Sequence, residues 1–398
     1  MDGGGGTSLD VTRLAVRFDE VFGPGSGCRA FHSPGRVNLI GDHIDYSGGW
    51  VLPMAIDRGT TLLVRPNRES VFRGMSLDRT AEGVVQTSVD DTGYRPELGW
   101  FGYVTGVLQM LAEAGHRPSG GLDLLIAGNI PDGAGLSSSA SLELAVAVAA
   151  NELGTFGLTG AELALLAQRA ENEYIGVACG IMDQLAVALG RRGHAMLMDC
   201  QHVSVDYVRF PHDRASVIIA NSNKRRSLNE SAYNDRRRSV EMAGSLLRPL
   251  LAGRRLIDLD PAKLDEVQKL LADGEMFARV RHTVTEQRRV ITAAAALQAE
   301  DLTLFGALMR ASHESLRDDF EVTGAELDSL VGAAWRQPGT IGARMTGAGF
   351  GGCAAILATP GLEQDVIDGT AAGYRAETGI SADFFLVGSD DGAREVAR

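Results

Sequence analysis

Lysine is almost missing from this chain of 398 residues: Lys224, Lys263 and Lys269 are the whole supply, within 38 basic residues. A GC-rich genome is the ordinary cause. For chemistry, it means that a catalytic cation here is expected to be an arginine. Positive charge is short in total as well. The net charge is −13 and the pI ≈ 5.1. That balance argues against a general nucleic-acid or membrane-surface binder, although a local site can still attract an anion. Cysteine is scarce too. Cys28, Cys179, Cys200 and Cys353 form no CxxC pair, so neither a zinc site nor a disulfide framework is read, and reduced cytoplasmic thiols are expected. The opening MDGGGGTSLD lacks the basic and apolar regions of a signal peptide. No apolar run is long enough for a bilayer span. No Gly-Lys dipeptide exists, which removes the Walker A loop. HRD and DFG are absent, which removes the protein-kinase signatures.

What remains is an ordinary globular composition, 44% apolar, with length for about two to three domains. Residues 11–22 and 100–115 have helical apolar spacing, and 50–64 reads as extended segments broken by Pro53 and Gly59. Residues 122–127 read as an apolar strand running into a Gly/Pro loop and then an Ala/Leu/Val helix. A second helix is expected over about 160–174. Strand-like HAMLMDC and ASVIIANS follow, then Arg-rich helices between roughly 229 and 335. The expectation is an α+β enzyme of two domains, 1–200 and 201–398.

Three stretches carry chemistry. GNIPDGAGLSSSAS (128–141) puts small residues and free N–H groups at a helix start, where the dipole favours an anion. A Gly/Ser turn with a serine cap is the bland alternative. The length of the run directly after a strand favours phosphate binding. GAGFGG (347–352) satisfies GxGxxG but leads into a strand, CAAILAT, so it is not read as a dinucleotide fingerprint. It is read as a glycine turn, or as a second backbone wall beside a nucleotide loop. ENEYIGVACGIMDQ (171–184) sets Asp183 in an apolar stretch, where a carboxylate must be paired or used. Earlier still, GRVNLIGDHIDYSGG (35–49) gathers Arg36, Asp42, His43 and Asp45 between glycines.

Together these stretches resemble the three signature motifs of the GHMP kinases, and more closely those of the galactokinases among them. GRVNLIGDHIDYSGG is similar to the sugar-binding signature, PDGAGLSSSAS to the ATP loop, and TGAGFGGC to the C-terminal glycine motif. WFGYVTGV from Trp100, AENEYIGVACGIMDQ and NESAYNDRRR (229–238) also match, in order, over about residues 30–355. The resemblance implies an N-terminal domain like ribosomal protein S5 domain 2, a C-terminal ferredoxin-like domain, and an active site in the cleft between them. It implies Asp183 as the catalytic aspartate with Arg36 beside it, and Ser139 and Glu171 as Mg²⁺ ligands. It implies Gly133, Ala134, Gly135, Leu136, Ser137, Ser138 and Ser139 around the ATP phosphates, with Trp100 near the adenine. Arg36, Asp42, His43, Asp45, Gly180, Asp183 and Tyr233 fall where such proteins contact the sugar.

The implied activity is a cytoplasmic, ATP-dependent sugar 1-kinase making α-D-galactose 1-phosphate, monomeric or weakly dimeric. Its partners would be a sugar and ATP, with no nucleic acid and no membrane. The chain departs from the pattern at Asp42, where glutamate is usual, at Ile44 in HIDY, and at Arg226, where histidine is common. These departures bear on the sugar. A kinase for N-acetylgalactosamine, galacturonate or arabinose, and a non-catalytic sugar sensor, stay open as alternatives.

Overall fold

The computed structural model describes residues 10–131, 133–224, 229–271 and 273–397. Asp132 and Arg226, both within stretches singled out above, lie outside them. The helix Val11–Phe22 starts where Asp10 accepts a hydrogen bond from the Thr12 backbone at 3.0 Å, a side-chain cap for an otherwise orphaned donor.

The first sheet has six strands, in the order Arg394–Val396, Arg29–Asn38, Pro53–Asn67, Gly121–Gly128, Val71–Ser76 and Val85–Ser88. All neighbours are antiparallel except Val71–Ser76 with Gly121–Gly128. Successive strand side chains point to opposite faces. Here both faces are covered, which is why LDLLIA is apolar apart from Asp123, whose buried carboxylate is paired with Arg65 and Arg73. Leu62, Val64, Leu122, Leu124 and Ile126 pack with the helices Phe101–Glu113, Ser138–Gly154 and Gly160–Arg169. Leu63, Leu125 and Ala127 pack with Phe18 of the first helix.

Pro53 does begin a new strand, but Gly59 does not break it. Gly59 sits inside Pro53–Asn67 against the neighbouring chain, where an added Cβ would lie 2.1 Å from the Ser33 carbonyl oxygen. The register shifts between Pro34 and Gly35, opposite this point. Such a bulge bends a strand and re-aims its side chains, and the next residue is Arg36. The expected helix over 160–174 ends its regular turns at Arg169 and continues as a wider π-turn, Ala170–Ile175. That turn carries Glu171.

A three-stranded sheet joins Trp50–Val51, His194–Asp199 and Ser204–Arg209. The expected division at residue 200 passes through the turn of this hairpin, and residues 394–396 return to the first sheet. The third sheet runs Thr340–Met345, Cys353–Ala358, Ser216–Asn221 and Asp383–Val387, all antiparallel. Helices Ala325–Trp335 and Glu363–Thr378 cover one face of it, and Gly274–Gln298 with Leu302–Ser315 the other. GAGFGG is the connection between its first two strands. Among the described residues no helix is long and apolar enough to cross a membrane, and the four cysteines form no disulfide.

Candidate active site

The strand Arg29–Asn38 and the helix Met182–Leu189 bring Arg36 and Asp183 together. Arg36 Nε donates to Asp183 Oδ1 at 2.8 Å and Nη2 to Oδ2 at 2.7 Å, the two-pronged geometry that gives a guanidinium–carboxylate pair its strength and direction. Arg36 Nη1 donates to the Gly135 carbonyl at 2.6 Å, so the same side chain also fixes the Gly–Ser loop. Ser137 Oγ donates to Asp183 Oδ2 at 2.7 Å. Arg36 is buried and the Asp183 side chain 28% exposed. The carboxylate therefore opens onto a cavity of about 760 Å³, whose wall also includes Asp45, Ser139, Glu171 and Tyr233.

Ser137 has φ 64 and ψ 46 and makes no side-chain cap to the helix Ser138–Gly154. Its hydroxyl goes to Asp183 instead, so Ser137 does not cap the first helical N–H groups. Ala134 and Leu136 turn their side chains into the core, and Leu136 meets Arg36 through its backbone, at 3.2 Å. GAGFGG stands beside this loop: an added Cβ on Gly347 would lie 2.8 Å from the Gly135 carbonyl oxygen. Trp100 lines a second cavity of about 360 Å³, which shares Gly133, Ser138 and Ser139 with the first. Its indole nitrogen is buried with no hydrogen-bond partner.

Asp42 and His43 of the sugar-signature loop line the same cavity, and each is held by partners from the far half of the chain. Asp42 borders the cavity, but its carboxylate is engaged behind it. Arg344 Nη1 lies 2.7 Å from Oδ2, both side chains being buried, and the Gly347 N–H donates to Oδ1 at 3.2 Å. His43 is also engaged at both ring nitrogens, by the Ala348 carbonyl at 3.1 Å and the Tyr46 hydroxyl at 3.4 Å. Burial, partly offset by Asp42, brings its pKa down to about 4. It is therefore a neutral ring, with Nε2 donating to the carbonyl. Asp45 lies against Gly180, where an added Cβ would sit 1.8 Å from Oδ2; any side chain there would displace the carboxylate. Burial and then the nearby Asp183 push the Asp45 pKa up to about 6. The Tyr233 ring stacks 5.4 Å from His43.

With this geometry in hand, the comparisons are specific. The family model for the GHMP kinases N terminal domain matches residues 102–191, and that for the GHMP kinases C terminal matches 293–375. The galactokinase galactose-binding signature matches 16–66. The galactokinase of Enterococcus faecalis is 42% identical over 383 residues, 96% of this chain and 99% of that protein. That of Clostridium perfringens is 41% identical, covering 98% and 100%. The crystal structure of Lactococcus lactis galactokinase complexed with galactose superposes with a TM-score of 0.95 at 39% identity, over 97% of this chain and 100% of that one. The chain belongs to the galactokinases. It has their two-part α+β GHMP kinase fold, shared more distantly with Methanococcus jannaschii mevalonate kinase at a TM-score of 0.65 and 19% identity.

Ser139 and Glu171 also meet, with Ser139 Oγ donating to Glu171 Oε1 at 3.2 Å. Burial and the charge of Asp183 push the Glu171 pKa up to about 7, so a cation there would relieve a real electrostatic cost. Among the described residues no group of three or more His, Cys, Asp or Glu could hold a metal. One hydroxyl and one carboxylate do fit a hard cation that keeps waters and phosphate oxygens in its shell.

Two neighbours escaped the sequence reading. Gln184 Nε2 donates to Glu171 Oε2 at 2.7 Å and lies 3.3 Å from Glu143 Oε2. Glu143 is wholly buried, and burial followed by Glu171 raises its pKa well above the usual carboxylate range. A lone glutamate in the apolar run LELAVAVAA was a signal of the same kind as Asp183. Cys179 packs beside them, its thiol pKa raised by burial and by Glu171.

Proposed function

We propose that this protein transfers the γ-phosphoryl group of ATP to the C1 hydroxyl of D-galactose, giving α-D-galactose 1-phosphate and ADP. The observation that carries this reading is the Arg36–Asp183–Ser137 cluster on the wall of the large cavity. An ionised carboxylate can accept about four hydrogen bonds. Asp183 uses two sites on Oδ2 and one on Oδ1. The remaining site on Oδ1 receives the sugar C1–OH.

As the C1 oxygen bonds to the γ-phosphorus, the bond to the ADP oxygen breaks and the hydroxyl proton passes to Asp183. Arg36 opposes the negative charge that develops beside it. Most of the acceleration in phosphoryl transfer comes from such positioning and electrostatics. The backbone of 133–139 and the start of the helix Ser138–Gly154 take the phosphates, and Trp100 borders the base. Asp45 accepts from sugar hydroxyls, with Gly180 and Tyr233 forming the wall. Asp42 and His43 shape the loop from behind. Ser139 and Glu171 would hold Mg²⁺, which when bound neutralises phosphate charge. The setting is the cytoplasm, with the chain acting as a monomer or weak dimer.

The test is ADP release with galactose, N-acetylgalactosamine, galacturonate and arabinose, with the product identified by phosphorus NMR. Galactose 1-phosphate as the main product is expected. Turnover of another sugar in preference moves the substrate, and turnover of none makes the protein a sensor.

A further inference from the structure

The helix Gly274–Gln298 reads as a charged helix, FARVRHTVTEQRRV, yet three of its polar side chains are buried against the sugar-signature loop. Glu286 Oε1 accepts from the Gly41 N–H at 3.0 Å. His282 Nε2 meets the Asp42 carbonyl at 3.2 Å. Gln287 Oε1 accepts from the Trp50 N–H at 2.9 Å. Residues 282 and 286 are one turn apart, and 286 and 287 are adjacent, so one helix face reaches both ends of the loop. Val290, one turn further, closes on Gly41: an added Cβ there would lie 2.8 Å from its methyl group, at a residue whose φ is 104.

The support behind this face is complete. Glu286 is fully buried, and Arg289 Nε holds its other oxygen at 2.6 Å. Burial alone would raise its pKa, but Arg289, His282 and Arg344 bring it down to about 2. It is therefore a fixed negative charge aimed at one backbone N–H. His282 is held at its second nitrogen by Ser315 Oγ at 3.0 Å and stacks on Phe320 at 4.7 Å. Phe320 in turn touches the His43 ring, 5.0 Å away. None of the helix residues 282, 286 and 287 lines the large cavity.

We propose that His282, Glu286 and Gln287 are positioning residues that hold the backbone of residues 41–50 in its sugar-binding shape, so that this helix sets sugar affinity without touching sugar or nucleotide. The proposal rests on the reading of that loop as the sugar site. The hydrogen bonds of His282, Glu286 and Gln287 given above run to the sugar-signature loop and not to the Arg36–Asp183 pair or the 133–139 loop, so the expected effect is on sugar and not on nucleotide.

The experiment uses the full-length protein and the variants His282→Phe, Glu286→Ala, Glu286→Gln and Gln287→Met. Two quantities are measured: amide hydrogen exchange across the chain, and calorimetric affinity for galactose and for Mg-ADP separately. His282→Phe keeps a ring against Phe320 and removes the donor to Asp42. It is expected to weaken galactose by roughly 2- to 10-fold, the range for one backbone hydrogen bond, with Mg-ADP unchanged. Glu286→Ala is expected to weaken galactose more, and Glu286→Gln, which retains an acceptor for Gly41, less than Glu286→Ala. Exchange should quicken in 39–52 and stay slow in 133–141 and 169–184. If Glu286→Ala fails to fold, His282→Phe and Gln287→Met decide the matter.

Unchanged exchange in 39–52 overturns the proposal. So does loosened exchange with unchanged galactose affinity, and so does a parallel loss of galactose and Mg-ADP, which marks a general structural role. A wild-type protein that binds no galactose is a failure of the functional reading instead. In that case the exchange data alone support or overturn the clamp.

Discussion

The reaction centre and the sugar loop share one cavity but are built at different ranges of sequence. Arg36 meets Asp183 across 147 positions, Ser137 meets it across 46, and Ser139 meets Glu171 across 32. All of these lie in the first half of the chain. The sugar loop is held across 240 positions by His282, 245 by Glu286 and 305 by Ala348 and Gly347. The proposed reaction centre is thus assembled within one half, whereas the proposed sugar loop is held by the other. A shift of one half against the other would disturb sugar recognition before it disturbed the Arg36–Asp183 pair.

The most severe way to separate the two regions is Asp183→Asn. Loss of the proton acceptor is expected to lower kcat by about 10²- to 10⁴-fold, with some loss of melting temperature because the buried Arg36 loses its charged partner. Steady-state kinetics with a thermal melt checks this, and a kcat near wild type excludes the role. Next is Glu171→Ala. It should raise the Mg²⁺ concentration needed for half-maximal rate by at least the ~10-fold that loss of a supporting partner costs, while the galactose KM stays put. If only the galactose KM moves, Glu171 belongs to the sugar side and the division drawn above fails.

The third test uses pH. In the proposed function Asp45 accepts from sugar hydroxyls when ionised, and burial and Asp183 raise its pKa to about 6. Protonation on going below that value removes the acceptor. Galactose binding measured without nucleotide should therefore weaken as pH falls through about 6, by up to about tenfold per unit for one linked proton. Above it, affinity should level off. In Asp45→Asn the dependence should vanish; an unchanged slope would assign the titration elsewhere. The smallest expected effect is Asp42→Glu. A side chain longer by about 1.5 Å presses on Arg344 and Gly347 and not directly on the sugar. The ratio of kcat/KM among galactose, 6-deoxygalactose and N-acetylgalactosamine should shift by less than about tenfold, or ~1.4 kcal/mol. A larger shift would put the Asp42 carboxylate back against the sugar.

The same contrast explains what could be read in advance. The Gly–Ser loop was visible as a run of small residues directly after a strand, Asp183 as a carboxylate in an apolar stretch, and Arg36 through the motif that carries it. The strand Gly121–Gly128 was visible because both its faces are buried. Three features were not. Gly59 looked like a punctuation mark, because only the three-dimensional neighbour Ser33 explains a glycine inside a strand. The pairing of Asp42 with Arg344 was not foreseen, because nothing local reveals Arg344. His282 and Glu286 were not singled out within the Arg-rich helices, because helical spacing shows which residues share a face and not what that face meets.

The pairing of Arg394–Val396 with the strand that carries Arg36 has a consequence for the making of the protein. Arg29 and Glu395 are bonded across 366 positions. At the ordinary pace of translation, ~5–20 residues per second, roughly 20–70 s separate the synthesis of the two. Throughout that interval the edge of Arg29–Asn38 stands open, and an unpaired edge is a template for unwanted strand addition. A chain stopped short of residue 394 would keep every residue of the reaction centre. It would still leave the ribosome with that edge uncovered, and its failing would be measured first as aggregate and only afterwards as lost turnover.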